Sequence, residues 1–156
     1  MPAPEYTAVT GGEVALTANV ARTALGWKAH ANSGLLLTYY EVSFDGTSAT
    51  AEPVLVEICY ATWATNAPGT ASTSVTPAQE LGRVLTVGAT AGKTWTTEPT
   101  VLTVLRERSI PAFGGVVLYD YPLGKEPDCA LAEGFAIRCT APANVSVRAT
   151  MKVSRC

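Results

Sequence analysis

The chain has 156 residues, of which 47% are hydrophobic and 15% are charged, and its formal net charge is −2. This length suits one domain with its own hydrophobic core, and this composition excludes a largely disordered chain. The charge excludes the basic footprint of a nucleic-acid-binding protein, and no apolar run approaches the ~20 residues that span a bilayer.

A surface with so few charged groups has two explanations. Part of it is covered by protein partners, or it belongs to a two-layer β protein whose exposed strand faces are rich in threonine. The composition leaves both explanations open.

The first 30 residues differ from the rest of the sequence. The start, Met1-Pro2-Ala3-Pro4, lacks the basic and apolar regions of a signal peptide, so we expect synthesis in the cytoplasm without export by the usual route. Two weak strand patterns follow, at Glu13–Leu16 and Ala24–Lys28. We predict that residues 1–30 combine an N-terminal arm with edge strands, and that residues 31–156 form the main domain.

The main domain shows short runs rich in Val, Leu, Ile, Tyr and Thr, separated by Gly, Pro, Asn and Asp turns such as Asp45-Gly46. The predicted strands are Leu35–Phe44, Val54–Ala61, Val101–Leu105, Val116–Tyr121, Phe135–Cys139 and Val145–Ser154. The last of these alternates apolar and polar residues, as a strand with one buried face does. This regular spacing of short strands and turns predicts an all-β fold, a two-sheet antiparallel sandwich of jelly-roll-like type with an N-terminal arm.

Three segments between the strands carry their own predictions. Thr62–Thr76 is rich in Thr, Ala and Ser and is predicted to be a long loop. Thr76–Leu81 resembles a helix start, which Gly82 would limit to about one turn. The short charged run Arg106-Glu107-Arg108 is predicted to be a solvated strand end.

The sequence contains four cysteines and one histidine. The cysteines, Cys59, Cys129, Cys139 and Cys156, form no C-x-x-C pair and complete no common zinc set with a single histidine. Free thiols are the favoured prediction, although a Cys129–Cys139 disulfide stays open.

Residues for catalysis are sparse. His30 is the histidine that any Ser-His-Asp or Cys-His arrangement must use, and no nucleophile motif accompanies it. The acidic residues of one loop region match no specific ligand or glycosidase spacing: Asp120, Glu126, Asp128 and Glu133. We therefore predict no enzyme activity, no catalytic residue, no cofactor and no metal.

Aromatic residues are the remaining candidates for function, because exposed Trp and Tyr side chains anchor protein interfaces and stack on sugars. The candidate partner-contact residues are Tyr6, Trp27, Trp63, Trp95, Tyr119 and Tyr121. The alternative is that these rings cap the ends of the sandwich core.

Two groups of short motifs resemble a known family. The first is the strand around Leu36–Gly46 that ends in SFDG, followed by EPVLVEI at Glu52–Ile58. The second is the TEP segment at Thr97–Pro99, with Ile110-Pro111 and the Gly134–Arg138 strand that leads into TAPANV at Thr140–Val145. Over Leu35–Val153 the chain resembles small β-sandwich proteins encoded among the structural genes of tailed bacteriophages.

This resemblance implies a virion structural protein, a head decoration (cement) or minor capsid protein of jelly-roll type that is made in the host cytoplasm and lies on the capsid surface. Its implied partners are further copies of itself, as a homotrimer, and the major capsid protein, with no nucleic acid and no membrane. The second hypothesis is a carbohydrate- or receptor-binding β-sandwich of a phage tail or fibre. A small hydrolase that uses His30 or Glu126 is the third.

Overall fold

A computed structural model describes residues 3–45 and 51–156, and all regular structure in this part of the chain is β-strand. The strands, in chain order, are β1 (Glu5–Val9), β2 (Val14–Leu16), β3 (Ala21–Lys28), β4 (Leu35–Phe44), β5 (Val54–Ala61), β6 (Thr73–Val75), β7 (Ala78–Leu81), β8 (Thr90–Lys93), β9 (Leu102–Ile110), β10 (Val116–Asp120), β11 (Asp128–Cys129), β12 (Gly134–Thr140) and β13 (Val145–Arg155). They form two antiparallel sheets packed face to face, so the predicted two-sheet sandwich is confirmed. The predicted turn at Asp45-Gly46 extends outside the described residues.

The seven-stranded sheet has the order β10-β4-β13-β1-β7, with β2 also paired to β13 and β11 also paired to β4. Strand β13 confirms its predicted alternation. Val147, Ala149 and Met151 are buried on the inner face, whereas Arg148 is exposed on the outer face. In a two-layer fold, this alternation directs one side of each strand into the core.

The six-stranded sheet has the order β6-β8-β3-β12-β5-β9. The chain crosses between the sheets eight times among the described strands, at β2–β3, β3–β4, β4–β5, β6–β7, β7–β8, β9–β10, β11–β12 and β12–β13. The core between the sheets includes Leu37, Trp27 and Phe135, all fully buried. The Trp27 Nε1–H donates a hydrogen bond to the Met151 carbonyl at 3.2 Å, so even the polar atom of this ring is satisfied.

Two of the three N-terminal strands differ from the predicted arm and edge strands, whereas β2 pairs with β13 alone among the described strands. Strand β1 lies between β13 and β7, and β3 lies between β8 and β12, so both are interior strands. Tyr6 and Ala8 of β1 are buried in the shared core. The described residues before position 30 are therefore part of the sandwich. The apolar runs of β1 and β3 are short. Their position inside the sheets becomes visible only from their pairing with β13 and β12, which lie far along the chain.

The predicted helical turn at Thr76–Leu81 is wrong. Residues Ala78–Leu81 form β7, in which Gln79 pairs with Tyr6 and Ala78 pairs with Thr7 of β1. A single helical turn fixes several backbone angles for one hydrogen bond, whereas β1 offers a ready row of backbone partners. Long-range pairing therefore overrides the local helix-start signal.

The predicted loop Thr62–Thr76 is irregular except for the short strand β6. Together with residues 94–100, this segment packs on the outer face of the six-stranded sheet, and we call these two segments the cover. There, the rings of Trp63 and Trp95 stack nearly parallel, with their centroids 5.8 Å apart and an interplanar angle of 8°. Both indole N–H groups are satisfied: Trp63 donates to the Trp27 carbonyl at 2.9 Å and Trp95 donates to the Asn66 carbonyl at 2.7 Å.

A polar network fastens this cover to the sheet. The Thr23 backbone N–H and hydroxyl both donate to one carboxylate oxygen of Glu98, at 2.8 and 2.6 Å. Nearby, the Arg138 Nε–H donates to the Glu57 carboxylate at 2.7 Å, and these side chains are only 26% and 11% exposed. Charged groups this far from water are tolerated because each has a charged or hydrogen-bonded partner.

All four cysteines are free thiols, so the favoured prediction is confirmed and Cys129 and Cys139 form no disulfide. Cys59, Cys129 and Cys139 are buried, and Cys156 is exposed. Burial disfavours the thiolate and raises the pKa of Cys59 and Cys129 to about 11 and that of Cys139 to about 12. The three inner thiols are therefore protonated at neutral pH and behave as small apolar groups.

These thiols lead to a prediction on reactivity and alkaline stability. In the native chain at pH 8, we expect Ellman's reagent to modify one thiol quickly, that of Cys156, and the other three only after denaturation. Because the inner thiols have folded-state pKa values above the ordinary value of 9.0, their contribution to stability is full below pH 9 and is lost as the pH rises toward 11 and 12. Cys156→Ser should abolish the fast phase. A second fast thiol in the native protein would contradict the prediction.

Candidate functional site

The structure places the six aromatic candidates mostly inside the molecule. Tyr119 is partly buried, and the other five side chains are buried: Tyr6, Trp27, Trp63, Trp95 and Tyr121. A buried ring cannot contact a partner while the fold stays closed. Their assignment as surface contacts is therefore corrected, because they fill the core or the cover of the six-stranded sheet.

Tyr121 and the partly buried Tyr119 form an aromatic cluster where the core reaches one side of the sandwich. Tyr119 pairs with Tyr40 across β10 and β4, and these rings stack with centroids 5.8 Å apart. Tyr121 meets Tyr119 edge to face at 4.8 Å. From the opposite sheet, Arg106 of β9 places its guanidinium carbon 4.4 Å from the centre of the Tyr119 ring and 5.2 Å from that of Tyr121. The cluster joins the two sheets where both of them end.

The electrostatics of this cluster follow from burial. Burial raises the pKa of Tyr121, and the neighbouring Arg106 partly offsets that rise. Among the described residues, the gap beside Tyr40 and Arg106, also lined by Val56, Ile58 and Val117, leaves no room for a water molecule. The cluster thus fills the space between the two sheet edges with aromatic rings and one guanidinium group.

Candidate catalytic residues do not converge. His30 is exposed, and its Nδ1 accepts a hydrogen bond from the Asn32 backbone N–H at 3.2 Å. Glu133 accepts a hydrogen bond from the Ala130 backbone N–H at 3.2 Å, which ties this carboxylate to its own loop. Within residues 3–45 and 51–156, no three His, Cys, Asp or Glu side chains are grouped to hold a metal ion. The same described part contains no helix with the length and apolar character needed to cross a bilayer.

The most distinctive surface is the side of the sandwich where β9 and β10 end their sheets. We call residues 101–120, which contain both strands and the turn between them, the β9–β10 edge. Strand β9 has nine residues and β10 has five, and neither has a further strand on its outer side in the described chain. At the opposite side, the terminal strands β6 and β7 have only three and four residues. Long open edges offer unpaired backbone groups to another strand, whereas short ones offer few.

Large apolar side chains are concentrated on the β9–β10 edge. Six of them are between 39% and 61% exposed: Val101, Val104, Leu105, Phe113, Val116 and Leu118. A groove of about 320 Å³ lies beside the turn, lined by Arg108, Ser109, Ile110, Pro111, Val116 and Val117. Grouped apolar side chains next to unpaired strands are typical of a protein contact surface.

The charged run Arg106-Glu107-Arg108 lies in the middle of β9, so its prediction as a strand end is wrong. Arg106 and Arg108 pair with Ile58 and Val56 and share their inner face, whereas Glu107 faces outward. An inward-pointing charge on an edge strand hinders indiscriminate pairing with other strands. The β9–β10 edge therefore has unpaired strands, but the inward-facing arginines restrict which strands can pair with β9.

Sequence reasoning missed this surface because it treated the two edge strands as ordinary members of the sandwich. A signal exists in β9, where Val104, Leu105 and the charged run place apolar and charged residues on both faces of one strand. That mixture is typical of an edge strand, although it does not reveal which strand lies opposite. Comparison of the chain with protein-family models, with curated proteins and with solved structures finds no match.

Proposed function

We propose that this chain is a structural protein of a phage particle, which decorates and stabilises the head by non-covalent contacts and carries out no chemistry. The observation that supports this best is the β9–β10 edge, the apolar side of the sandwich where two long strands end their sheets. A protein that joins neighbours needs a rigid scaffold and such a side, and it needs no reactive pocket.

The motif resemblance to phage structural proteins points in the same direction. The proposed partners are the major capsid protein, at the capsid surface, and further copies of the chain; the two-fold pair argued below replaces the trimer that the resemblance implies. The small charged fraction of 15% suits a surface that is partly covered in an assembly. Neither a nucleic acid nor a membrane is part of the proposal.

The carbohydrate-binding alternative has less support. It depends on Trp63, Trp95, Tyr119 and Tyr121 as exposed stacking platforms. Both tryptophans are buried with their N–H groups bonded to backbone carbonyls. Tyr121 is also buried, so Tyr119, which is partly buried, is the one of the four that offers some accessible ring surface.

Mass spectrometry and imaging of purified particles test the proposal. Particles from an infection that expresses this chain should contain it in many copies per head, with additional density on the shell that matches a β-sandwich. Deleting its gene should leave particles without that density and should lower their resistance to heat or low salt. Absence of the chain from purified particles would overturn the proposal.

A further inference from the structure

We infer that the β9–β10 edge pairs with the same edge of a second copy, so that β9 of each chain lies antiparallel to β10 of the other around a two-fold axis parallel to the strands. This inference deepens the proposed function, on which it rests, by naming a self-association surface and its geometry. Three observations support it: the charged side chains of β9, the position of the Arg106–Tyr119 contact along the strand direction, and the end of the sandwich at which the β9–β10 turn lies.

Both edges of one copy are available at the same side of the sandwich. Strands β9 and β10 run in opposite directions, because only residues 111–115 connect them, and each ends its own sheet. A rotation of 180° about an axis parallel to the strands leaves the strand direction unchanged and exchanges the positions of the two sheets. It therefore brings β9 beside β10 of the second copy in antiparallel orientation, twice in each pair.

The alternative two-fold axis, perpendicular to the sheets, would pair β9 with β9 and is disfavoured by charge. Residues directly opposite each other share a face, so inward-facing Arg106 and Arg108 could oppose only other inward-facing residues. Any register centred on this run therefore places arginine opposite arginine or Glu107 opposite Glu107. Like charges directly opposite in a sheet are destabilising.

Pairing β9 with β10 of the second copy removes this conflict. Within one chain Arg106 contacts the Tyr119 ring, and Arg108 lines one gap together with Val117, so these residues lie at similar positions along the strand direction. An axis parallel to the strands preserves height and sets Arg106 opposite Tyr119 of the second copy, on the inner face. The same register sets Glu107 opposite Leu118 on the outer face, where β10 otherwise exposes apolar surface. The arginine then meets an aromatic ring, and no like charges oppose each other.

The turn between β9 and β10 carries a side chain and a groove that also fit this arrangement. Phe113 is 61% exposed in the turn, and the 320 Å³ groove beside Ile110, Pro111 and Val116 lies at the same end of the sandwich. An axis parallel to the strands places both turns at one end of the pair. Each Phe113 is then next to the groove of the other copy, whereas the perpendicular axis would separate the turns.

Analytical ultracentrifugation of the full chain tests this arrangement. We expect a concentration-dependent dimer with twice the 16.3 kDa mass of the chain. Leu118→Glu should raise the dissociation constant at least about tenfold, because it introduces a negative charge opposite Glu107. Leu118→Lys should raise it less, because the ammonium lies opposite that carboxylate. Leu131→Glu, at a side chain 55% exposed outside the edge, is the matched control and should change nothing.

A monomer at all concentrations, or a trimer, would overturn the inference. So would equal weakening by Leu118→Glu and Leu118→Lys, since the charge of Glu107 would then have no effect on the contact. Each of these results leaves the particle analysis untouched, because that analysis asks whether the chain is present in heads. Conversely, absence from particles together with a charge-sensitive dimer would reject only the proposed function.

Discussion

Replacing Gly134 by alanine is expected to destabilise the native fold by about 3 kcal/mol or more. Gly134 begins β12, between β3 and β5. An added Cβ would collide with the Trp27 carbonyl oxygen and would lie 2.8 Å from Trp63 Nε1. These two atoms form a hydrogen bond of 2.9 Å with each other, so neither can withdraw without breaking it. The added methyl group therefore disturbs both the packing of β12 in the sheet and the packing of Trp63 on its outer face.

Urea unfolding followed by circular dichroism measures this loss. Gly12→Ala is the matched control, because a Cβ at Gly12 meets nothing within 4 Å and should change the free energy of unfolding little. A Gly134→Ala midpoint equal to that of Gly12→Ala would show that β12 can shift away from Trp27, contrary to the packing described above.

Trp95→Ala is the second large effect, with an expected loss of about 3 to 5 kcal/mol. Its ring is fully buried, stacks on Trp63 and lies over Gly26, where an added Cβ would be 3.0 Å from the Trp95 ring. Truncation leaves a cavity in the cover of the six-stranded sheet and removes the hydrogen bond to the Asn66 carbonyl. Trp95→Phe keeps much of the ring volume and should lose clearly less.

This prediction also separates the two functional hypotheses. If Trp95 supports the cover, any loss of partner or glycan binding in Trp95→Ala should follow the loss of folded protein and disappear under strongly stabilising conditions. If it is a sugar platform, Trp95→Ala should keep the native unfolding midpoint and lose binding to a glycan array. A native midpoint in Trp95→Ala would contradict the packing argument.

The β9–β10 edge combines unpaired strands with charged side chains on one of them. Edge strands invite pairing, and charged side chains within the strand, here Arg106-Glu107-Arg108 of β9, restrict it. Because Arg106 packs on Tyr119 and Tyr121, the same residue closes the gap between the sheets and limits the strands that can join them. The proposed particle component would need such a restricted edge to bind one neighbour and avoid aggregation.

Much of the fold was predictable from local pattern. The alternation of Val145–Ser154 and the apolar runs at 35–44 and 54–61 are confirmed as β13, β4 and β5, since period two is a direct consequence of strand geometry. The free, buried thiols of Cys59 and Cys139 were also predictable, because both lie within apolar strand patterns. The short N-terminal strands, the pairing of β7 and the extent of β9 were not, because their evidence lies in partners distant along the chain.

The sequence by itself determined the all-β class, the two-layer architecture and the lack of a recognised catalytic motif, because strand periodicity and residue chemistry are local properties. Only the tertiary structure decided that five of the six aromatic candidates are buried and that β9 and β10 are long edge strands at the same side of the sandwich. Burial and edge position depend on which strands lie side by side, and that order results from long-range packing. A single strand carries no record of its neighbours, so the candidate contact surface became visible only once the sheets were assembled.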